Sequence, residues 1–200
     1  MDLFTMRGLV RRDLKDEGSD NYRWTDDEVD RAIQRAVAEF SRYIPREMKN
    51  TIATTDGSRE IDISALTDRV SVDRIEFPVG EHPRIFQRFT VYQDTLTMIG
   101  DYEGDGEDSY IFWSKVHTLD GSSSTIPTQF EGLVAMGSGG YAAASQSQYH
   151  SDRANIGGPQ VDRDYAYWGR DRLREFRTQL KRFGKARKLK QGALYTGNYE

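Results

Sequence analysis

Residues 25–45 read TDDEVDRAIQRAVAEFSRYIP, and the change of period at their end decides the fold. Thr25 can accept the backbone N–H of Glu28 while Glu28 reaches back to Thr25, the reciprocal pattern of a capping box. Asp26 and Asp27 put negative charge where the helix dipole is positive. Val29, Ile33, Ala36, Val37, Phe40 and Ile44 follow at steps of three and four, which predicts one amphipathic helix with a single apolar stripe. Pro45 disfavours helix at the residue before it and marks the stop.

Beyond Pro45 the pattern shortens. Residues 59–63, 69–77, 84–92, 95–99 and 110–116 are short runs rich in β-branched and aromatic side chains. Asp56-Gly57, Gly80 and Gly104 break them as turns do. Val70 and Val72 share one parity, Ile75 and Phe77 the other, so a bulge or bend is expected between the pairs. Residues 51–120 hold 14 acids against 6 bases. The reading is a small, acidic, antiparallel module.

On the other side of the first helix, residues 3–15 form a short basic amphipathic segment with Leu3, Met6, Leu9, Val10 and Leu14 near helical spacing. After the β-rich part, Thr128 and Glu131 repeat the Thr-x-x-Glu spacing just past Pro127, which predicts a second capped helix. That helix is nearly bare: Gly137, Ser138, Gly139, Gly140 and Ala142 to Ala144 carry little bulk. Each glycine costs about 1 kcal/mol against alanine in a helix. Close approach of a neighbouring helix offsets that cost, and so does packing between copies in a crowded ring. Residues 155–159 read as a loop. A last helix starts near Gln160 and turns Val161, Tyr165, Trp168, Phe176, Leu180 and Phe183 to one side. Gly184 is expected to end its regular packing. Residues 184–200 have too few apolar side chains to fold alone and are expected to order on a partner.

The fold class implied is α+β: a mainly α-helical bundle of about four helices, with an inserted antiparallel β module and an extended basic C-terminal tail. Residues 1–50 and 121–183 make the bundle, 51–120 the insert and 184–200 the tail. The 200 residues, 36% apolar and 30% charged, allow one sizeable domain or two small ones sharing a core. With no cysteine there is no disulfide framework and no thiolate metal site. The first residues lack the uninterrupted apolar stretch of a secretory signal, and no run reaches the roughly 18 apolar residues that span a bilayer. A cytoplasmic protein with no membrane role is expected.

Charge is distributed unevenly. From Arg170 to Lys190 there are ten Lys/Arg and two acids, about +8, in a chain whose formal total is -4, so the remainder carries about -12. Such asymmetry points to docking of the basic end on a partner, or of the two ends on each other in neighbouring copies. Arg7, Arg11 and Arg12 near the start are expected to add to the same surface.

Residues able to do chemistry are scarce. Asp101, Glu103, Asp105, Gly106 and Glu107 resemble a calcium loop, but the twelfth position, which needs a bidentate Glu, is Phe112. Gly137-x-Gly139-x-x-Ala142 fits a loose dinucleotide fingerprint, but a capped helix start precedes it where a strand is required. His82, His117 and His150 have no partner at metal-ligand spacing and read as surface or loop histidines. Ser138 lacks the glycine two residues before it that a nucleophile elbow needs. No catalytic residue, metal or cofactor is expected.

The order of elements resembles the head-to-tail connector adaptors of tailed bacteriophages, also called head-completion proteins. The resemblance covers roughly residues 6–195, and is carried by YRWTDDEVDRAIQRAVAEFSRYIP at 22–45 and STIPTQFEGLVAMGSGGYAAA at 124–144. It implies a mainly helical, non-enzymatic virion protein of the neck. Copies would form a homo-oligomeric ring, usually twelvefold, under the portal protein, extending the channel through which DNA passes and presenting a platform to a downstream tail or stopper protein. It also implies that the C-terminal helix and tail lodge against the portal. Here that means Arg182, Lys185, Arg187, Lys188, Leu189, Lys190, Leu194, Tyr195 and Tyr199. Gly137, Gly139, Gly140 and Ala143 would pack between neighbours in the ring. Three alternatives stand beside it: a nucleic-acid-binding protein using the basic 170–190 stripe, a tail-completion or stopper component, and a metal-dependent enzyme using acids of the β module.

Overall fold

The computed structural model describes residues 1–18, 22–149 and 161–195, with side chains for 1–18, 22–145 and 164–185. Among these the chain runs α1 (Leu3–Leu14), α2 (Asp26–Tyr43), β1 (Arg46–Ala53), β2 (Glu60–Asp62), β3 (Arg69–Glu76), β4 (Phe86–Tyr92), β5 (Thr95–Ile99), β6 (Asp108–Lys115), α3 (Thr128–Tyr149) and α4 (Val161–Tyr195). It divides into a helical unit, Met1–Ile44 with His117–Lys188, and a sheet unit built on Pro45–Val116.

In the helical unit, α1 starts where the Asp2 side chain accepts the Thr5 N–H at 2.8 Å and ends at Lys15 in the left-handed region. The expected capping box opens α2, with the Thr25 N–H donating to Glu28 Oε2 at 2.8 Å and the Glu28 N–H donating to Thr25 Oγ1 at 3.3 Å. Its apolar stripe, Val29 to Ile44, is buried as the spacing requires. The second box is different. Thr128 is already the first residue of α3, and Glu131 Oε1 accepts from the Met1 ammonium at 2.8 Å. Phe40, Phe176, Leu180, Trp24, Met6 and Val134 lie at the centre of the core these helices share.

The sheet unit is not the minor insert that the sequence reading expected. Six strands pair antiparallel in the order β1-β6-β3-β4-β5-β2 and curl into a half-barrel. The unit has its own core of Ile61, Ile63, Leu66, Ile75, Phe77, Leu96, Met98, Ile111 and Trp113. The expectation of a mainly helical bundle is therefore corrected: helices and sheet each enclose a separate apolar cluster. The physical reason is that alternation puts a bulky residue inward every second position, and six short strands together supply enough of them to bury a core. β3 shifts register against β6 between Val72 and Arg74, which is the bulge that the parity slip foretold.

The tail is not extended where it is described: it is helical up to Tyr195, and Gly184 does not end α4. Lys, Arg, Leu, Ala and Gln dominate residues 185–194, and all are good helix formers. Gly184 is instead a contact, since a Cβ there would lie 3.0 Å from the Tyr43 carbonyl oxygen. The loop expected at 155–159 lies outside the described residues.

Candidate functional site: the basic face of helix α4

The inner face of α4 is set by α3. A Cβ on Gly137 would stand 2.8 Å from the Phe176 ring, and one on Gly140 2.9 Å from Leu173 and 3.2 Å from the Gly169 carbonyl. A Cβ on Gly169 would in turn meet the Gly140 carbonyl at 3.0 Å and the Ala143 methyl at 3.1 Å. Gly139 faces Trp168 more loosely, at 3.4 Å. The small-residue stripe thus lets α3 and α4 touch backbone to backbone within one chain. Burial of Phe176, Leu173 and Leu180, at about 1.5–3 kcal/mol each, outweighs the helix propensity lost at the glycines. The ring-packing role expected for Gly137, Gly139, Gly140 and Ala143 is replaced by this internal one. Leu173 was missed in the sequence because Arg172 and Arg174 flank it. The matching signal was its position, three residues before Phe176 and seven before Leu180.

With that face buried, Arg170, Arg174, Arg177 and Lys181 form a stripe beside it, at steps of four, three and four and about 100° around the axis from the Leu173–Phe176–Leu180 side. With Leu173 and Thr178 they line an open groove of about 420 Å³. Arg177 is anchored: its Nε donates to Glu39 Oε1 at 2.9 Å and its Nη2 to the Tyr141 hydroxyl at 3.3 Å. The Tyr141 hydroxyl donates to Glu39 Oε2, and Arg35 lies over the Tyr141 ring at 4.3 Å. Burial first, then the Glu39 carboxylate, push the Tyr141 hydroxyl above its ordinary range, so it stays a neutral donor. Arg174 has only an exposed pair with Asp171 on its own helix, at 3.2 Å. No described carboxylate pairs with Lys181, Arg182 or Lys185.

Arg182 and Lys185 are exposed near the end of the core-packed part of α4. Arg187, Lys188, Leu189, Lys190, Leu194 and Tyr195 lie on the helix backbone, but their side chains, and Tyr199 altogether, fall outside the described residues. At about 100° per residue, these positions are spread around the whole axis rather than gathered on one side.

Other expectations resolve locally. Arg7 and Arg11 do not join the basic face. Arg7 binds Asp26 and Asp30 at 2.8 and 2.7 Å, and Arg11 binds Asp16 and Asp26, each at 2.7 Å. His117 is a core residue, not a surface one: Nδ1 lies 2.8 Å from the Thr125 carbonyl and Nε2 3.0 Å from the Ile44 carbonyl. His82 is exposed, and His150 lies outside the described residues. Gly137 and Gly139 sit inside α3, so no glycine turn opens a helix there.

The acidic turn between β5 and β6 is pinned in the sheet unit. Thr54 Oγ1 donates to the Glu107 carbonyl at 2.9 Å, and Gly104 exchanges backbone hydrogen bonds with Gly57 and Ser58 at 2.8 and 2.7 Å. Gly104 fits because a Cβ would lie 2.4 Å from the Thr55 carbonyl. Asp101, Glu103, Glu107 and Asp108 remain exposed. No group of three or more metal-ligating side chains occurs among the described residues, and none of their helices is long and apolar enough to cross a membrane.

No protein-family model matches the chain, and no curated protein matches its sequence.

Proposed function

We propose that this chain is a structural, non-enzymatic virion protein: a ring-forming adaptor in the neck of a tailed bacteriophage, assembled in the host cytoplasm. It docks under the portal and joins the capsid vertex to the tail around the DNA channel. The observation that carries the reading is the two-part character of α4. Its first part is held in the core by Leu173, Phe176 and Leu180, and its last turns place cationic and apolar positions around the full axis. A helix of that kind suits insertion into a pocket of a second protein better than lying on a flat surface. Repetition around a closed ring multiplies weak single contacts through effective concentration.

Removing residues 186–200 tests the reading while sparing the Gly184–Tyr43 contact. The shortened protein is expected to keep its melting temperature and to lose binding to the cognate portal. Undiminished portal binding, or no portal binding by the full chain, counts against it.

The groove lined by Arg170, Arg174, Arg177 and Lys181 favours a second reading, a nucleic-acid-binding protein. That reading requires retention of duplex DNA that falls steeply as salt rises, measured by gel shift over a salt series.

A further inference from the structure

With Gly137, Gly139, Gly140 and Ala143 buried under α4, contact between copies needs another surface. We infer that the basic groove on α4 receives the acidic sheet unit of a second copy of this chain. The inference rests on the ring reading, and it names the face and the complement that would repeat around the ring.

The groove holds four cations in about 420 Å³, and only Arg177 among them is tied to another helix, through Glu39 and Tyr141. Arg177 pairs with Glu39 and Arg174 with Asp171, while Arg170 and Lys181 have no carboxylate partner among the described residues, so the group keeps a net positive charge that favours an anionic occupant. The chain offers one of matching size. The 14 acids and 6 bases of residues 51–120 leave that segment at about -8, equal and opposite to the +8 of residues 170–190. Exposed Asp101 and Glu103 flank Tyr102 in the chain, itself 44% exposed, with Ile99 50% exposed and Glu107 exposed on the same turn; Glu103 also pairs with Arg59 at 3.1 Å, an exposed contact that a partner can replace. An aromatic ring among carboxylates suits a groove of guanidinium groups, where it stacks on Arg while the carboxylates take the N–H donors.

A second copy is favoured over a polynucleotide because the chain itself carries the complement, a segment at about -8 with exposed acids and an exposed tyrosine. A face and complement at different places on the same chain make a heterologous contact, the type that closes into rings.

Charge reversal of the full-length chain tests this. Sedimentation velocity over a concentration series, at low and at high salt, is expected to show self-association that salt weakens. Arg174→Glu/Lys181→Glu on one side and Glu103→Lys/Glu107→Lys on the other are each expected to weaken it by about tenfold or more. Mixing the two variants is expected to restore a mixed pair through the groove and turn that have exchanged sign. Unchanged melting temperatures show that both variants fold. A chain that stays monomeric throughout, or variants that associate like the parent, would overturn the inference. So would a groove variant that loses only retention of duplex DNA. Portal binding measured on the same proteins separates the two ideas. Intact portal binding without self-association sinks this inference alone, and the reverse result sinks the adaptor reading.

Discussion

Arg11 of α1 and Arg174 of α4 both sit on amphipathic helices, yet the fold consumes only the first. Arg11 is 5% exposed; it binds Asp16 and Asp26, donates to the Trp24 carbonyl at 2.9 Å and lies 3.6 Å from the Tyr22 ring centre. Arg174 has one exposed pair within its own helix. The difference teaches that a count of Lys and Arg does not measure a binding surface. Acids near in sequence, Asp16, Asp26 and Asp30, neutralise the first group, whereas of the four groove cations on α4 only Arg177 is tied to another helix.

The sharpest way to break that comparison is Arg11→Met. It leaves Asp16 buried without its cation and is expected to cost about 3 kcal/mol, read as a lower urea midpoint. Next, Gly140→Val attacks the face of α3 that turns α4 outward. Its Cβ would start 2.9 Å from Leu173, and overpacking is expected to cost about 2 kcal/mol in the same assay. A smaller effect follows from Asp26. The hydrogen bond from Arg11, then the nearby Arg7 charge, hold its carboxyl below the ordinary value of 3.8. A depressed folded pKa contributes stability that is present above 3.8 and lost as pH falls through the lower folded value. Melting curves of the parent and Asp26→Asn should therefore differ at neutral pH and converge in acid. Smallest of all, Arg174→Gln with Lys181→Gln is expected to move stability by less than about 0.5 kcal/mol. A larger loss would mean that the groove cations hold the fold together after all.

What could be read from the sequence was whatever depends on near neighbours. The Thr25–Glu28 box, the α2 stripe and the β3 bulge all follow from spacing within a few residues, and the structure carries each of them. β1 was not read as a strand because Arg46 to Ala53 is a mostly polar edge strand, half-buried only at every second residue from Met48. The size of the sheet core was missed because its members come from runs of three to eight residues, none conspicuous alone. The fate of the glycine stripe was undecidable locally. Gly137 and Phe176 are far apart in the chain, and only their meeting shows that the stripe faces α4. The basic groove was half legible: its charge is plain in the sequence, but the anchoring of Arg177 by Glu39 and Tyr141 depends on three helices converging.

Because α4 is one unbroken helix of 35 residues, it is a stiff rod about 52 Å long. Whatever grips its final turns acts on a lever whose fulcrum is the seat of Gly184 on Tyr43 and whose longer arm is wedged among Leu173, Phe176 and Leu180. A pull or twist at the far end is then felt as torque inside the helical core, which a slack tether would never transmit.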